Sequence, residues 1–304
     1  MIRVFSDKGG RNPMKLTRGE SVFVASNYIF LTILTLIIII PFWYVISVSI
    51  TPYHLFSEKN GMILFPSNFS LDYYKYLLKD GSMIYTAYGN TLRNTVGGVA
   101  LALFLTVTAA YALAEKKLPG RRIIMVYFVL TMLFKGGMIP TYITIKQLGL
   151  LNTNYVLILI MAYSAFNMII MKSFFEGIPE SLRESASIDG ASEFRILWRI
   201  VLPLSMPVIA TVGLLYLVVY WNDFFNALLY VTDWHKAPVQ LVLRTIIASS
   251  SLPPELLEQA GTAPPPTIGI QMAAIVIVAL PMMVIYPFIQ RFFEQGMLIG
   301  SVKG

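Results

Sequence analysis

The chain contains no cysteine, which excludes disulfides, thiol nucleophiles and thiolate metal sites. Histidine is almost missing too: His54 and His235 stand far apart in isolated polar stretches and read as solvated. There is no metal-ligand spacing, no phosphate-cradling glycine loop and no nucleophile beside a plausible base, so the chain itself is not expected to hydrolyse ATP or to hold a metal or cofactor. Charge is the third scarcity. Only 13% of the 304 residues are charged and 56% are hydrophobic, whereas soluble domains carry about 25% charged residues. This is the composition of an integral membrane protein.

What is abundant is long apolar sequence. A helix needs roughly 20 apolar residues to cross a hydrocarbon core about 30 Å thick, and lipid forces each crossing to pair its own backbone groups. Six such runs are present, near 28–50, 89–114, 123–145, 154–175, 204–229 and 267–292. The expected fold is therefore all-α, with six transmembrane helices spanning residues 28–293 between a polar N-terminal segment, 1–27, and a tail, 294–304. The first apolar run is long enough to span and follows a basic, polar start, so it reads as a membrane helix and not as a cleaved leader.

Basic residues set the orientation. Arg3, Lys8, Arg11, Lys15 and Arg18 precede the first run, and Lys116, Lys117, Arg121 and Arg122 follow the second. Lys172, Arg183, Arg195 and Arg199 flank the fourth and fifth, and Arg291 and Lys303 close the chain. The opposite loops hold Lys59, Lys75, Lys79, Lys146, Lys236 and Arg244. Positive residues favour the cytoplasm, which places both termini inside. Beside apolar spans, a net charge of +7 points to anionic lipid headgroups and not to nucleic acid.

Between the fourth and fifth runs lies a polar island. Pro179 and Glu180 read as a helix entry, and Ser181 with Glu184 has capping-box spacing. Asp189-Gly190 ends that helix, because glycine adopts the left-handed conformation readily. Ser192 then caps a second helix, Glu193–Ile200, which is expected to stop at Leu202-Pro203. Carboxylates Glu180, Glu184 and Glu193 flank apolar Leu182, Ile188 and Phe194, a pattern that suits a docking cleft on a partner or, equally, an interfacial re-entry loop.

The spacing Glu184-Ser185-Ala186-x3-Gly190-x9-Ile200-x-Leu202-Pro203 resembles the EAA signature of permease subunits in binding-protein-dependent ABC importers. Ser185 departs from the usual alanine by a small-for-small change. Asn90-Thr91 with Thr95, Trp221-Asn222-Asp223-Phe224 and the tail Gly300–Gly304 are similar to the maltose-type sugar branch. Phe134–Thr141, Leu148-Gly149-Leu150 and Lys172–Phe175 resemble its complex-oligosaccharide subset. The resemblance implies a type I permease fold in the bacterial cytoplasmic membrane, with residues 178–200 as a coupling helix seated on an ATPase. Glu180, Glu184, Ala186, Asp189, Gly190, Ile200, Leu202 and Pro203 are its coupling residues. It further implies a second related permease, two ATPase subunits that carry ATP and magnesium, and an extracytoplasmic solute-binding protein. Ser251, Leu252, Pro253 and Pro254 fall in a loop that would enter that protein's cleft; as plain sequence they are also a proline-rich linker.

Polar residues within the runs are candidates for the substrate path. Lys135 lies about 12 residues, roughly 18 Å, above the inner end of the third run and precedes Gly136-Gly137 and Pro140, a loosened stretch. It reads as lining a passage, as buried in an ion pair or as snorkelling. Trp221, Asn222, Asp223 and Asn226 combine an aromatic face with amide and carboxylate groups, which suits sugars and also suits a headgroup belt. Asn167 and Gln271 are weaker candidates. An ion-coupled secondary transporter, the rival class, needs a carboxylate near the membrane midplane, and Asp223 lies near the outer edge. A permease for a non-sugar solute is the rival within the family.

Overall fold

A computed structural model of the protein describes residues 17–52, 55–56, 63–66, 68–249 and 268–301, and these contain helices and connections but no strand. The first helix, α1 (Arg18–Ser49), begins ten residues before the expected span. Thr17 and Glu20 explain the early start: the Glu20 N–H donates to Thr17 Oγ1 at 3.3 Å, and the Thr17 N–H donates to Glu20 Oε2 at 2.7 Å. After the short α2 (Asp72–Leu77) comes α3 (Met83–Ala114), 32 residues without a proline or a break. The helices α1, α3 and Ile268–Pro287 are each long and apolar enough to cross a membrane; counting each of two bent helix pairs as one span raises the number to five.

The third expected run is not one straight helix. It divides into α4 (Arg121–Leu133) and α5 (Met138–Gln147), which meet at 112°. Gly136-Gly137 supplies the corner: Gly137 has φ +88°, and Pro140 has no N–H to continue the ladder. The fourth run also divides, into α6 (Val156–Ile160) and α7 (Ala165–Glu176), with Ser164 Oγ accepting the Asn167 N–H at the new start.

The polar island forms α8 (Glu180–Ile188) and α9 (Glu193–Ile196). The second of these does not stop at Leu202-Pro203. It passes through a π-helical turn, Leu197–Val201, and a last α turn, α10 (Leu202–Leu204), then bends by 83° into α11 (Met206–Trp221). The wide π turn ends just before Pro203, which withholds its N–H from the ladder, and Pro207 falls in the first turn of α11, where no intrahelical partner is lost. Beyond α11 lie α12 (Phe225–Tyr230), a 3₁₀ turn Trp234–Lys236, α13 (Val239–Ser249) and α14 (Ile268–Ser301).

At the centre, α3 packs on α7, α11 and α13, while α1 leans on α14. Two apolar clusters result. One joins Ala102, Ala110, Met168, Met171, Ile196, Val201 and Val212 towards the island, and the other joins Ile84, Ala87, Val156, Tyr230, Val242 and Ala274 at the opposite end. Tyr216 ties three elements together within the first: its hydroxyl lies 2.7 Å from Thr106 Oγ1 and accepts the Ser164 N–H at 3.0 Å.

Candidate coupling site and substrate path

Pro179, with φ −55° and ψ 125°, is the residue before the first turn of α8. Its fixed φ places the helix start at Glu180, so Ser181 lies inside the helix and the expected Ser181–Glu184 capping box does not form. Glu180 remains in the first turn, where a negative charge suits the helix dipole. The other end follows the left-handed C-cap in full. Gly190 has φ +77°, its N–H donates to Ser187 O at 3.0 Å, and the Ala191 N–H donates to Ala186 O at 3.0 Å. These are the two bonds of a Schellman motif. Ala186 and Ala191 pack together against the inner apolar cluster, which explains why small residues stand there. Ser192 occupies the expected N-cap position of α9 in extended backbone, although its side chain makes no capping bond.

The outcome is an elbow with one face held and one face free. Ile188 and Phe194 are 86% and 70% exposed, beside Glu180, Glu184 and Asp189, which make no ion pair among the described residues. Ser185 is exposed as well, so its departure from alanine meets no packing constraint. Ile200 and Leu202 are half-buried, Leu202 packs on the inner cluster, and Pro203 is exposed.

The held face depends on pairings that the sequence did not reveal, and they take Glu193, expected beside Glu180 and Glu184 on the docking face, to the held side. Arg183 Nη2 lies 3.1 Å from Glu115 Oε2, its guanidinium lies 5.1 Å from the Tyr111 ring centroid, and the Tyr111 hydroxyl donates to Glu193 Oε2 at 2.5 Å. The Lys117 N–H on the Glu115 carboxylate, together with the Arg183 charge, holds Glu115 below its ordinary carboxylate value against the cost of its burial. Tyr111, Glu115, Glu180, Arg183, Glu184 and Glu193 line an open cleft of about 560 Å³. Nearby, Glu176 pairs with Lys172 at 2.8 Å and with Arg121, fastening α4 to α7. The sequence signal for the Arg183–Glu115 pair was weak, because the two are 68 residues apart, whereas Lys172 and Glu176 have local i,i+4 spacing.

The substrate-path candidates separate. Lys135 is exposed in the corner between α4 and α5 and makes no ion pair among the described residues. Asn167 is buried on α7. Trp221 is buried, with its indole N–H on Val278 O at 3.2 Å and its ring edge-on to Tyr88, so it joins α11 to α14. Asp223 Oδ1 accepts from the Asn226 N–H and Nδ2, while Oδ2 is buried with no hydrogen-bond partner among the described residues. Asn222 is exposed and accepts from Gln240 Nε2 at 3.1 Å, and Arg244 lies over the Phe224 ring at 4.8 Å. Gln240 and Arg244 were not among the path candidates; the amphipathic pattern of Pro238–Ala248 was their sequence signal. Gln271 is buried on α14. Ser251, Leu252, Pro253, Pro254 and His54 lie outside the described residues.

At the opposite end, Asn152 makes a clasp that the sequence did not announce. With φ +57°, its Oδ1 accepts the Thr232 and Asp233 N–H groups at 3.2 and 2.9 Å, and its carbonyl accepts from Lys236 Nζ at 2.9 Å.

The described helices thus form an apolar core, interrupted at its bent pairs, from which a polar elbow projects. The family model for the binding-protein-dependent transport system inner membrane component matches residues 14–299, and the chain belongs to that family. It is 46% identical over 291 residues to Protein LplC of Bacillus subtilis, covering 96% of this chain and 98% of that one. It is likewise 46% identical over 279 residues to the polygalacturonan/rhamnogalacturonan transport system permease protein YtcP of the same organism, covering 91% and 96%. The crystal structure of a bacterial ABC transporter involved in the import of the acidic polysaccharide alginate matches with a TM-score of 0.83 at 31% identity, over 93% of this chain and 100% of that chain. The chain is thus a multi-pass ABC importer permease subunit.

Proposed function

We propose that this chain forms one half of the passage of an ATP-driven importer for an oligosaccharide, with its elbow seated on a cytoplasmic ATPase subunit. The elbow carries the reading: Ile188 and Phe194 project among Glu180, Glu184 and Asp189, whose charges no neighbour neutralises among the described residues. An apolar knob with an acidic rim calls for a cleft with a basic residue. Glu184 meets that base, and Gly190 permits the turn. Two ATPase subunits hold ATP and magnesium; this chain binds neither.

A second, related permease completes the passage and covers α4, none of whose 13 residues is buried in this chain. The bent pair α4–α5, the pair α6–α7 and α11 each count as one crossing, which makes six with α1, α3 and α14. Both termini lie in the cytoplasm, on the side of the basic clusters. A solute-binding protein delivers the sugar to the outer face, where Ser251, Leu252, Pro253 and Pro254 meet it. One relative is named for polygalacturonan/rhamnogalacturonan transport, the solved importer is involved in the import of alginate, and Lys135 offers a cation at a helix break with no ion pair among the described residues. These observations favour an acidic oligosaccharide, with Lys135 and Asn222 on its path and Asn167, Trp221, Asp223 and Asn226 shaping it.

Reconstitution with the second permease, the ATPase subunits and the binding protein tests this. Galacturonate oligomers should enter vesicles only with ATP, and Glu184→Ala should abolish uptake with membrane insertion intact. Uptake driven by an ion gradient without ATP would refute the reading, and preference for a neutral oligosaccharide would refute the acidic cargo.

A further inference from the structure

Tyr111 lies in the last turn of α3, and Glu115 is the C-cap residue that ends it, in extended backbone. Each grips a different arm of the elbow. Glu115 holds Arg183 on α8, with the guanidinium also over the Tyr111 ring, and the Tyr111 hydroxyl holds Glu193 on α9. The arms on either side of the Gly190 turn are therefore fastened to the same helix. The Arg183 side chain is only 17% exposed, a setting in which ion pairs and cation–π contacts are stronger than at open surface.

That helix is unbroken along its length. It runs 32 residues without proline, about 48 Å at 1.5 Å per residue, whereas α1 contains Pro41 and α14 contains Pro281 and Pro287. At its far end it grips a second segment. Asn90 Nδ2 donates to the carbonyls of His235 at 2.7 Å and Ala237 at 3.1 Å, and Thr91 Oγ1 accepts the Val239 N–H at 2.7 Å. Asn90 and Thr91 are both buried, so these bonds are shielded from water.

We infer that α3 acts as a push-rod with a joint at each end. Tyr111, Glu115, Arg183 and Glu193 deliver the displacement of the elbow to α3, and Asn90 and Thr91 deliver it to residues 234–239 on the opposite face. The inference rests on the ATPase coupling proposed above. All six are positioning residues, because they act through one another and touch neither nucleotide nor sugar. Loosening the first joint leaves ATP turnover and removes movement at the far end.

The absence of native cysteine makes the test direct. Spin labels are placed at Trp234→Cys and, as reference, at Phe30→Cys on exposed α1, in the full complex in nanodiscs, and their distance is measured with and without ATP–vanadate. In the parent the distance distribution shifts with nucleotide. Glu115→Ala and Arg183→Ala each remove about half of the shift or more while ATP hydrolysis stays within about twofold. Glu115→Arg combined with Arg183→Glu restores it, and Tyr111→Phe, which keeps the ring, removes part. Thr91→Val removes the shift with the first joint intact.

An unchanged shift in both alanine variants overturns the push-rod and leaves the coupling reading standing. Loss in both singles without recovery in the exchanged pair assigns the residues a merely structural role and also overturns it. A parent with no nucleotide response removes the coupling reading and the push-rod together.

Discussion

The Tyr220 ring fills the space that any side chain at Gly98 would need, and its hydroxyl reaches past that point to donate to Ile158 O at 2.7 Å. Gly98 therefore sets how closely α3 and α11 approach. In an unconstrained helix, replacing glycine by alanine gains about 0.5–1 kcal/mol. Here the clash reverses the sign. Gly98→Ala is expected to lower stability by about 1–3 kcal/mol, read as a lower melting temperature in detergent. Adding Tyr220→Leu should recover part of that loss; equal melting of Gly98→Ala and parent would show that the ring is free to move.

The elbow turn makes a graded prediction. Around Gly190 a Cβ would meet nothing within 4 Å, so a side chain there faces backbone strain alone. Gly190→Ala should cost about 1 kcal/mol and reduce ATP-driven uptake modestly, with Gly190→Asn nearer to the parent. Gly190→Pro cannot reach φ +77° and loses the N–H to Ser187 O, so it should abolish uptake while the protein still inserts. Uptake rates in the three variants decide the matter, and a proline variant with parental uptake would contradict the Schellman turn.

Asn152 allows conformation and hydrogen bonding to be separated. Asn152→Gly keeps the left-handed backbone and loses the two accepted N–H bonds, a cost of about 1–2 kcal/mol to local stability. Asn152→Ala adds about 1 kcal/mol of strain, and Asn152→Asp keeps the acceptor. Amide exchange at Thr232 and Asp233 should accelerate in the order Asp, Gly, Ala, by about tenfold for each 1.4 kcal/mol. The same exchange rate in all four proteins would show that the clasp does not hold this loop.

What could be read from sequence followed the range of the interactions. Gly190 and Ser192 lie at the turn and cap they announce, because a left-handed glycine and an N-cap are decided within a few residues. Gly136-Gly137 likewise marked a weak point, although the 112° corner there exceeds a loosened helix. The capping box at Ser181 failed because Pro179, two residues earlier, had already fixed the start. The division at Met161–Ser164 had no glycine or proline to announce it; it is held by the buried Tyr216 hydroxyl, 52 residues away. Trp221 looked like a sugar platform from its polar neighbours, yet its indole partner lies 57 residues on. Arg183 with Glu115 and Tyr111 with Glu193 are of the same long-range kind, and hydropathy carries no trace of them.

The π turn at Leu197–Val201 accommodates one residue more than an ordinary α turn. The extra residue is thus absorbed within one turn, and the facing of the elbow relative to α11 is kept. Excising it there would return the turn to ordinary α geometry, whereas the same excision in a regular α stretch would swing everything upstream by about 100° around the axis. This is therefore the one place between the elbow and α11 where kin could carry a shorter stretch without turning the handle to a different quarter of the compass.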